Sequence, residues 1–324
     1  MTLQHLLICG LGSIGRRHLR HFRALGVERI DAFRTGKATL PDEGQLAPDR
    51  VFGSLQEALA AGPQAVVVAN PTSLHLETAL AAVRAGAHIL VEKPASHSAA
   101  GLEGLEQEAM AKGLRVFVGY NLRYHPALQA VREIVRSGKP LGHPLMARIH
   151  FGAYLPDWHP WESYRGSYAA LRSLGGGVTL TSSHELDYAL WILGPVERSE
   201  GLASPLRPLG TEVEELSALL MRHASGALST ITLSFAQKPA SRGMEIAFEG
   251  GTLSLDLLAG SWTVRRAGGE ATEQRLPEGY QIDETYRLQA EAFLRALDGH
   301  SETLATLADA RASLMIAETV LETL

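Results

Sequence analysis

Short apolar runs alternate with segments of helical spacing through the first 120 residues. The apolar runs are Leu6–Cys9, Ile30–Phe33, Ala65–Ala69, His88–Val91 and Arg115–Val118. The segments of helical spacing are Ser13–Leu25, Ser54–Ala60, Ser73–Arg84 and Ala99–Lys112. A glycine follows each of these segments closely, as is typical of a helix C-terminus. Strands that are apolar on both faces and joined by helices form a parallel sheet covered on both sides. The pattern therefore predicts a doubly wound Rossmann domain over residues 1–120.

The pattern changes near residue 120, and strands then become more frequent. Helices are predicted over Ala127–Arg136 and within Gly177–Leu193, with a long loop between them. The alternating apolar and polar runs are Glu212–Met221, Ala227–Phe235, Met244–Phe248 and Thr252–Leu257. Glycine-containing turns join them in pairs, which indicates hairpins. Residues 121–324 are therefore predicted to form an α+β domain with a large, mostly antiparallel sheet. The closing helices, Glu284–Leu297 and Thr303–Thr323, are candidates for packing on the first domain.

Composition excludes several classes of protein. The formal net charge of −5 and the absence of a basic block argue against a nucleic-acid partner. The apolar run at the N-terminus is far too short to span a bilayer, and no other run is long enough. Cys9 is the single cysteine, so no intramolecular disulfide forms, and its apolar run indicates a buried strand thiol. We therefore expect a cytoplasmic protein with no membrane partner.

A glycine-rich turn follows the first predicted strand and opens the first predicted helix. Gly10 permits the tight turn, Gly12 lets the backbone approach a pyrophosphate, and Gly15 lets the helix pack against the strand. The free amides at the helix N-terminus, those of Ser13 and Ile14, then face the phosphates. A dinucleotide-binding site is predicted here.

Residues after the second strand select between the two nicotinamide dinucleotides. No acidic residue stands at its end, since Asp31 lies within the strand. Arg34 is placed to pair with a 2′-phosphate, with Thr35 and Lys37 as additional donors. This predicts a preference for NADP over NAD. The alternative is a solvated arginine and a cofactor bound without contacts to its 2′ position.

Polar residues stand at the ends of three further predicted strands, where ligands bind in doubly wound sheets. The first set is Asn70, Pro71, Thr72 and His75, the second is Glu92, Lys93 and Pro94, and the third is Tyr120, Asn121 and Arg123. We expect the first set and Glu92 on the cofactor side, and the third set on the substrate side.

Four motifs in order resemble the Gfo/Idh/MocA family of NAD(P)-dependent sugar and polyol oxidoreductases. They are AN-PT-xxH at 69–75, EKP at 92–94, GYNLRYHP at 119–126 and GGG-x6-HELD at 175–187. The resemblance covers essentially the whole chain. It implies a Rossmann domain, a second domain whose open sheet makes homodimer or homotetramer contacts, and a sugar-like substrate bound between the domains beside the nicotinamide.

The resemblance also implies which side chains carry the chemistry. The family's lysine maps onto Lys93, which would hold the reacting oxygen and stabilise alkoxide charge. The family's second-domain histidine maps onto His184, a candidate acid/base. Asp187 shares a helical face with His184 and is a candidate to fix its tautomer. Where related sequences carry an aspartate, this chain has Thr181, which cannot serve as a carboxylate base.

The segment 154–168 is rich in aromatic side chains. Trp158, Trp161 and Tyr164 are candidates for stacking on a sugar ring, and a surface loop held by buried tryptophans is the equal alternative. Histidines and cysteines with the spacing of a metal site are not present in the sequence, so no metal is predicted.

Together these features predict an enzyme that moves a hydride between a nicotinamide and a sugar, nucleotide-sugar or polyol carbon. Two alternatives stay open. One is an NAD-dependent glycoside hydrolase that works by transient oxidation, and the other is a non-catalytic dinucleotide-binding sensor.

Overall fold

The computed structural model describes residues 3–36, 47–158, 163–300 and 303–324. The chain forms two compact units. The first contains the residues up to Asn121 together with Ile282–Ala312, and the second contains Leu122–Gln281 together with Ser313–Leu324. The residues 282–312 therefore belong to the first unit, although they follow the second in sequence.

The secondary structure alternates in the first unit and is strand-rich in the second. The strands are β1 (His5–Cys9), β2 (Arg29–Phe33), β3 (Val51–Phe52), β4 (Ala65–Val68), β5 (His88–Val91), β6 (Val116–Val118), β7 (Pro144–Tyr154), β8 (Val196–Ala203), β9 (Leu216–His223), β10 (Leu228–Ser234), β11 (Ala236–Phe248), β12 (Gly251–Asp256), β13 (Ser261–Arg266), β14 (Ala271–Arg275) and β15 (Ala305–Thr306). The α-helices are α1 (Ser13–Ala24), α2 (Leu55–Ala60), α3 (His75–Arg84), α4 (Leu102–Ala111), α5 (Pro126–Ser137), α6 (Val178–Thr181), α7 (Ser183–Leu193), α8 (Asp283–Leu297) and α9 (Leu307–Leu321).

The first unit contains a sheet in the order β15-β6-β5-β4-β1-β2-β3. Its neighbouring strands run parallel, except that β15 is antiparallel to β6. Side chains in the central strands, such as Ile8, Val67 and Leu90, are fully buried because helices cover both faces. The predicted Rossmann architecture is confirmed.

Cys9 lies in β1 with its side chain fully buried, as predicted. Burial raises the pKa of the Cys9 thiol to about 12, so it stays protonated and unreactive at neutral pH. None of the helices in the described residues is both long and apolar enough to cross a membrane.

The second unit contains a sheet in the order β14-β13-β12-β11-β7-β10-β9-β8. Its strands are antiparallel to their neighbours except that β10 runs parallel to β7, so the predicted mostly antiparallel sheet is confirmed. One face buries side chains such as Ile149, Met221 and Ile231, and helices α6 and α7 contact this sheet.

The predicted long loop after α5 is wrong, because β7 lies there at the centre of the sheet. Ala147 and Ile149 on one face are buried, whereas Leu145 and Met146 are exposed and Arg148 separates the two buried positions. Apolar side chains on the solvent side therefore obscure the alternation from which a strand is predicted.

Candidate active site

The glycine turn after β1 has the geometry of a dinucleotide cradle. Gly10 has a φ of +101°, and a Cβ there would lie 2.5 Å from the carbonyl oxygen of Ala69. A Cβ on Gly15 would collide with the carbonyl oxygen of Gly10, so helix α1 packs closely on the turn. A Cβ on Gly12 would meet nothing within 4 Å. The first and third glycines are therefore required by packing, whereas the second leaves space for a ligand.

Helix α1 begins at Ser13 directly after this turn, with Gly12 as its N-cap. Side chains do not cap its first turn, and acidic residues are absent from that turn. The amides of Ser13 and Ile14 thus stand at the positive end of a helix dipole, next to the space above Gly12. This arrangement suits a pyrophosphate and fits the predicted cofactor.

Arg34 and Thr35 follow β2 and are both exposed to solvent. Lys37, predicted as a third donor, lies outside the described residues. Asp31 is fully buried, and its Oδ2 lies 2.9 Å from His5 Nε2 and 2.6 Å from an Arg29 nitrogen. This carboxylate is therefore used inside the fold and not at the cofactor edge.

The turn after β4 is fixed by buried hydrogen bonds. The Asn70 side-chain amide donates to Thr78 Oγ1 at 2.9 Å. Pro71 precedes a short 3-10 helix, which begins at the buried Thr72. His75 is 2% exposed, and its ring nitrogens lie 2.8 Å from the carbonyl oxygens of Pro94 and Asn70. His75 therefore connects the end of β4 to the end of β5.

Glu92 and Lys93 follow β5, the neighbour of β4 in the sheet. The Glu92 carboxylate is buried, with Oε1 2.7 Å from His18 Nε2 and Oε2 3.2 Å from the Lys93 amide. Lys93 itself is half-buried. A Cβ at Gly119, after β6, would lie only 3.0 Å from the Glu92 carboxylate, so glycine makes room for it.

Tyr120 and Asn121 follow β6 and are almost fully buried. The Asn121 amide donates to Thr285 Oγ1 of α8 at 2.6 Å. The strand ends of β1, β4, β5 and β6 are adjacent in this sheet, so the first unit gathers the glycine turn, Asn70, Lys93 and Asn121 on one edge.

In the second unit, His184 lies in the first turn of α7 and is 8% exposed. Thr181 ends the preceding short helix α6 and is 6% exposed. The structure therefore keeps Thr181 and His184 one turn apart. The Thr181 hydroxyl is a neutral group and offers no carboxylate at this position.

Arg123 and Asp187 form a buried ion pair within the second unit. Two nearly parallel contacts join them, Nε to Oδ2 at 3.0 Å and a terminal nitrogen to Oδ1 at 2.6 Å, and the side chains are 5% and 2% exposed. Arg123, expected on the substrate side, pairs with this acidic residue. The Asp187 carboxylate, predicted to orient His184, is a partner of Arg123.

The aromatic segment after β7 is partly anchored in the protein. Trp158 packs against Phe151 and Phe235, with ring centroids 6.1 and 5.4 Å away. The Tyr164 hydroxyl donates to the carbonyl oxygen of Leu209 at 2.9 Å. These contacts favour a held loop over free stacking faces at both positions. Trp161 lies outside the described residues.

Sequence reasoning missed a second ion pair, which joins Glu185, the neighbour of His184, to the partly buried Arg242. Arg242 Nε donates to Glu185 Oε1 at 2.7 Å, and the Tyr188 hydroxyl donates to the same oxygen at 3.2 Å. Glu185 is fully buried. The HELD motif contains this glutamate, but nothing in the sequence connects it to an arginine 57 residues away.

His125, in the GYNLRYHP motif, was also not singled out. Its ring lies edge-on to Tyr280 with centroids 5.5 Å apart. Burial, followed by the charge of Arg242, lowers the pKa of His125 to about 4, so its ring is neutral at physiological pH.

Two family models match the chain in sequence. Residues 5–120 match the oxidoreductase family, NAD-binding Rossmann fold, and residues 128–254 match the GFO/IDH/MocA C-terminal domain. Curated relatives include a 1,5-anhydro-D-fructose reductase of Ensifer adhaerens, 29% identical over 75% of this chain and 72% of its own length. They also include an inositol 2-dehydrogenase of Saccharopolyspora erythraea, 28% identical over 97% of this chain and 91% of its own.

Solved structures share the fold at low sequence identity. A levoglucosan dehydrogenase in complex with NADH and levoglucosan has a TM-score of 0.83 at 20% identity, covering 98% of this chain and 96% of its own. A dehydrogenase from Bordetella pertussis in complex with NADH and UDP-GlcNAcA has a TM-score of 0.78 at 21% identity, covering 99% and 96%. Both family models, together with the glycine turn and the EKP and HELD motifs in their expected places, show that the chain belongs to the Gfo/Idh/MocA oxidoreductase family.

Proposed function

We propose that this protein is an NAD(P)-dependent oxidoreductase that acts on a CH–OH group of a sugar, nucleotide sugar or polyol. The observation that carries this proposal is the edge of the first sheet. The open cradle above Gly12 follows β1, Lys93 follows β5, and only β4 lies between these two strands. Relatives named as a 1,5-anhydro-D-fructose reductase and inositol 2-dehydrogenases support this substrate class.

The cofactor would be held by the backbone of the glycine turn and by the ends of β2 and β4. The amides of Ser13 and Ile14 would bind the pyrophosphate, and Asn70 and Thr72 would border the nicotinamide half. Bound there, the dinucleotide supplies or accepts the hydride. Arg34 and Thr35 would bind a 2′-phosphate, so we propose a preference for NADP.

Lys93 and His184 would divide the work on the substrate oxygen. The Lys93 ammonium group would bind the hydroxyl oxygen and stabilise the negative charge that develops on it as the hydroxyl proton is removed and the hydride leaves the carbon. His184 would accept the hydroxyl proton in oxidation and return it in reduction. Thr181 has no carboxylate to offer, so on this proposal these two side chains suffice.

An open face of the second sheet supports a homo-oligomer. Met146 of β7 lies opposite Leu228 of β10. On β9, Leu220 is two residues from Arg222, which lies opposite Leu228. All three apolar side chains are more than a third exposed. Leu202, on the adjacent β8, is 70% exposed. Side chains of this kind on one flat face suit burial against a second copy. We propose that this face forms the dimer or tetramer contact.

The test is a screen of the purified protein with NAD and NADP against cyclic polyols, hexoses and nucleotide sugars, followed by nicotinamide absorbance. With the active substrate, Lys93→Ala and His184→Ala should each lower kcat by about 10²–10⁴-fold. The exposed Lys112→Ala and His143→Ala are matched controls and should leave kcat unchanged. Full turnover in both active-site variants would overturn the assignment. Glycoside cleavage without a net absorbance change would replace it by hydrolysis through transient oxidation.

A further inference from the structure

Two buried histidines hold the Glu92–Lys93–Pro94 segment from different helices. His18 belongs to α1, the helix that follows the glycine turn, and His75 begins α3. The connections β1 to β2 and β4 to β5 step in opposite directions across the sheet. Because such connections are right-handed, α1 and α3 cover opposite faces of the sheet. The two rings therefore reach the segment from both sides.

The His18 contact fixes the residue that precedes Lys93. His18 is fully buried, and its Nε2 donates to Glu92 Oε1 at 2.7 Å. The second oxygen of the same carboxylate accepts the Lys93 backbone amide at 3.2 Å. A continuous chain of hydrogen bonds thus runs from α1 through Glu92 to the Lys93 peptide.

The His75 contact fixes the residue that follows Lys93. Nδ1 lies 2.8 Å from the Pro94 carbonyl oxygen, and Nε2 lies 2.8 Å from that of Asn70. A carbonyl oxygen only accepts, and burial lowers the pKa of His75, so the neutral ring carries one N–H and donates to one of these two oxygens at a time. His75 thereby ties the peptide beyond Lys93 to the turn after β4.

If His18 and His75 only filled space in the core, they would not need polar imidazole rings. Burying an imidazole costs free energy unless its polar atoms are bonded, and an aliphatic side chain would fill the same volume without that cost. Here each ring directs one nitrogen to a residue that flanks Lys93, His18 to Glu92 and His75 to Pro94. The space for the Glu92 carboxylate is in turn provided by Gly119 on the next strand end.

We propose that His18 and His75 are positioning residues that fix the direction of the Lys93 side chain, and that His18 makes this direction depend on the cofactor helix. The inference rests on the proposed role of Lys93. A displacement of about 1 Å in a reacting group lowers turnover by about 10²-fold, so loss of either ring should act on kcat.

The first measurement needs no substrate. His18→Leu and His75→Leu are compared with His21→Leu, which removes a buried histidine from the same helix α1 and breaks its contact with Asp283. Each protein is labelled with a limiting amine-reactive reagent, and peptide mass spectrometry gives the Lys93 rate relative to Lys112. The Lys93 rate should rise in the first two variants and stay unchanged in His21→Leu.

The second measurement uses the active substrate. In His18→Leu and His75→Leu, kcat should fall by about 10–100-fold while the KM for substrate stays within about twofold. His18→Gln keeps an N–H donor for Glu92 and should recover most of the lost kcat; it also serves if the leucine variants do not fold. Equal Lys93 labelling and equal kcat in all variants, with only a lower Tm, would overturn the positioning role. Altered labelling with no oxidoreductase activity in any variant would support the positioning and contradict the proposed function.

Discussion

The two units of this protein hold their candidate site residues by different means. In the first unit, the residues sit in turns at strand ends. Contacts to backbone atoms, such as those of His75 with Asn70 and Pro94, hold them together with side-chain contacts such as that of His18 with Glu92. In the second unit, charged side chains far apart in sequence hold one another. Arg123 meets Asp187 across 64 residues, and Arg242 meets Glu185 across 57.

The difference shows which physical forces hold the candidate site residues of each unit in place. Glycine conformations and contacts to the backbone supply much of the geometry of the first site, and the buried His18–Glu92 contact adds to them. The second depends on charges kept out of water. Burial lowers the pKa of Arg242, but the adjacent Glu185 carboxylate and Tyr188 hydroxyl outweigh it, so the net shift is upward and the guanidinium stays charged.

The largest expected effect comes from breaking a buried pair in the second unit. Arg242→Met leaves the Glu185 carboxylate buried without its cation, which should lower the free energy of unfolding by about 3–5 kcal/mol. Urea unfolding measures it. The double variant Arg242→Met/Glu185→Gln removes both charges and should recover much of the loss. A single variant as stable as wild type would show that the pair is not what holds this unit together.

The same difference between the two units decides which features the sequence could predict. The alternation of apolar runs and helices, the glycine turn and the polar strand ends are local patterns, and the Rossmann sheet they predicted is confirmed. Local patterns cannot show that Asp187 accepts hydrogen bonds from Arg123, because that contact depends on how the second unit packs. For the same reason His18 gave no signal, since its partner Glu92 lies 74 residues further along the chain.

Strand β7 marks another limit of prediction. A central strand is expected to show buried positions alternating with polar ones, but Leu145 and Met146 are both exposed, at the point where the register of β7 with β11 shifts. A surface that is apolar because it suits another copy of the chain looks, in sequence, like an irregular segment. On the proposal that this face contacts a second copy, the oligomer contact and the missed strand share one physical origin.

The next effect concerns pH and again belongs to the second unit. The pKa of His125 is lowered to about 4, so the unfolded chain binds a proton that the folded one does not between pH 6.5 and about 4. The contribution of His125 to the free energy of unfolding is fully present above pH 6.5. It is lost as the pH drops, and the loss reaches about 3 kcal/mol at pH 4. Urea unfolding of wild type and of His125→Phe, each at pH 6.5 and pH 4, isolates the contribution of His125, because the two proteins share all their other buried histidines. Parallel pH dependence in the two proteins would contradict the prediction.

The matching disruption in the first unit acts through the backbone. Gly15→Ala places a methyl group against the Gly10 carbonyl oxygen. It should lower the free energy of unfolding by about 1–3 kcal/mol and should also weaken cofactor binding. Gly12→Ala is the matched control, because its methyl group meets nothing within 4 Å. It should melt at the wild-type temperature and yet bind the dinucleotide more weakly. Calorimetry and fluorescence titration with NADPH measure the two properties. Equal Tm values for both variants would show that the turn tolerates movement.

The smallest expected effect tests whether an exposed side chain adds to a site otherwise built from backbone. Arg34→Ala should weaken NADPH binding by about tenfold, the equivalent of one charge-assisted contact of about 1.4 kcal/mol, and leave NADH binding unchanged. Arg84→Ala, which removes the same charge from an exposed position paired with Glu108, should change neither affinity. Raising the salt concentration should narrow the difference between the two cofactors in wild type, because the contact is exposed. Equal losses for NADH and NADPH in Arg34→Ala would mean that the arginine supports adenine or the turn, and that the 2′ position is not what it recognises.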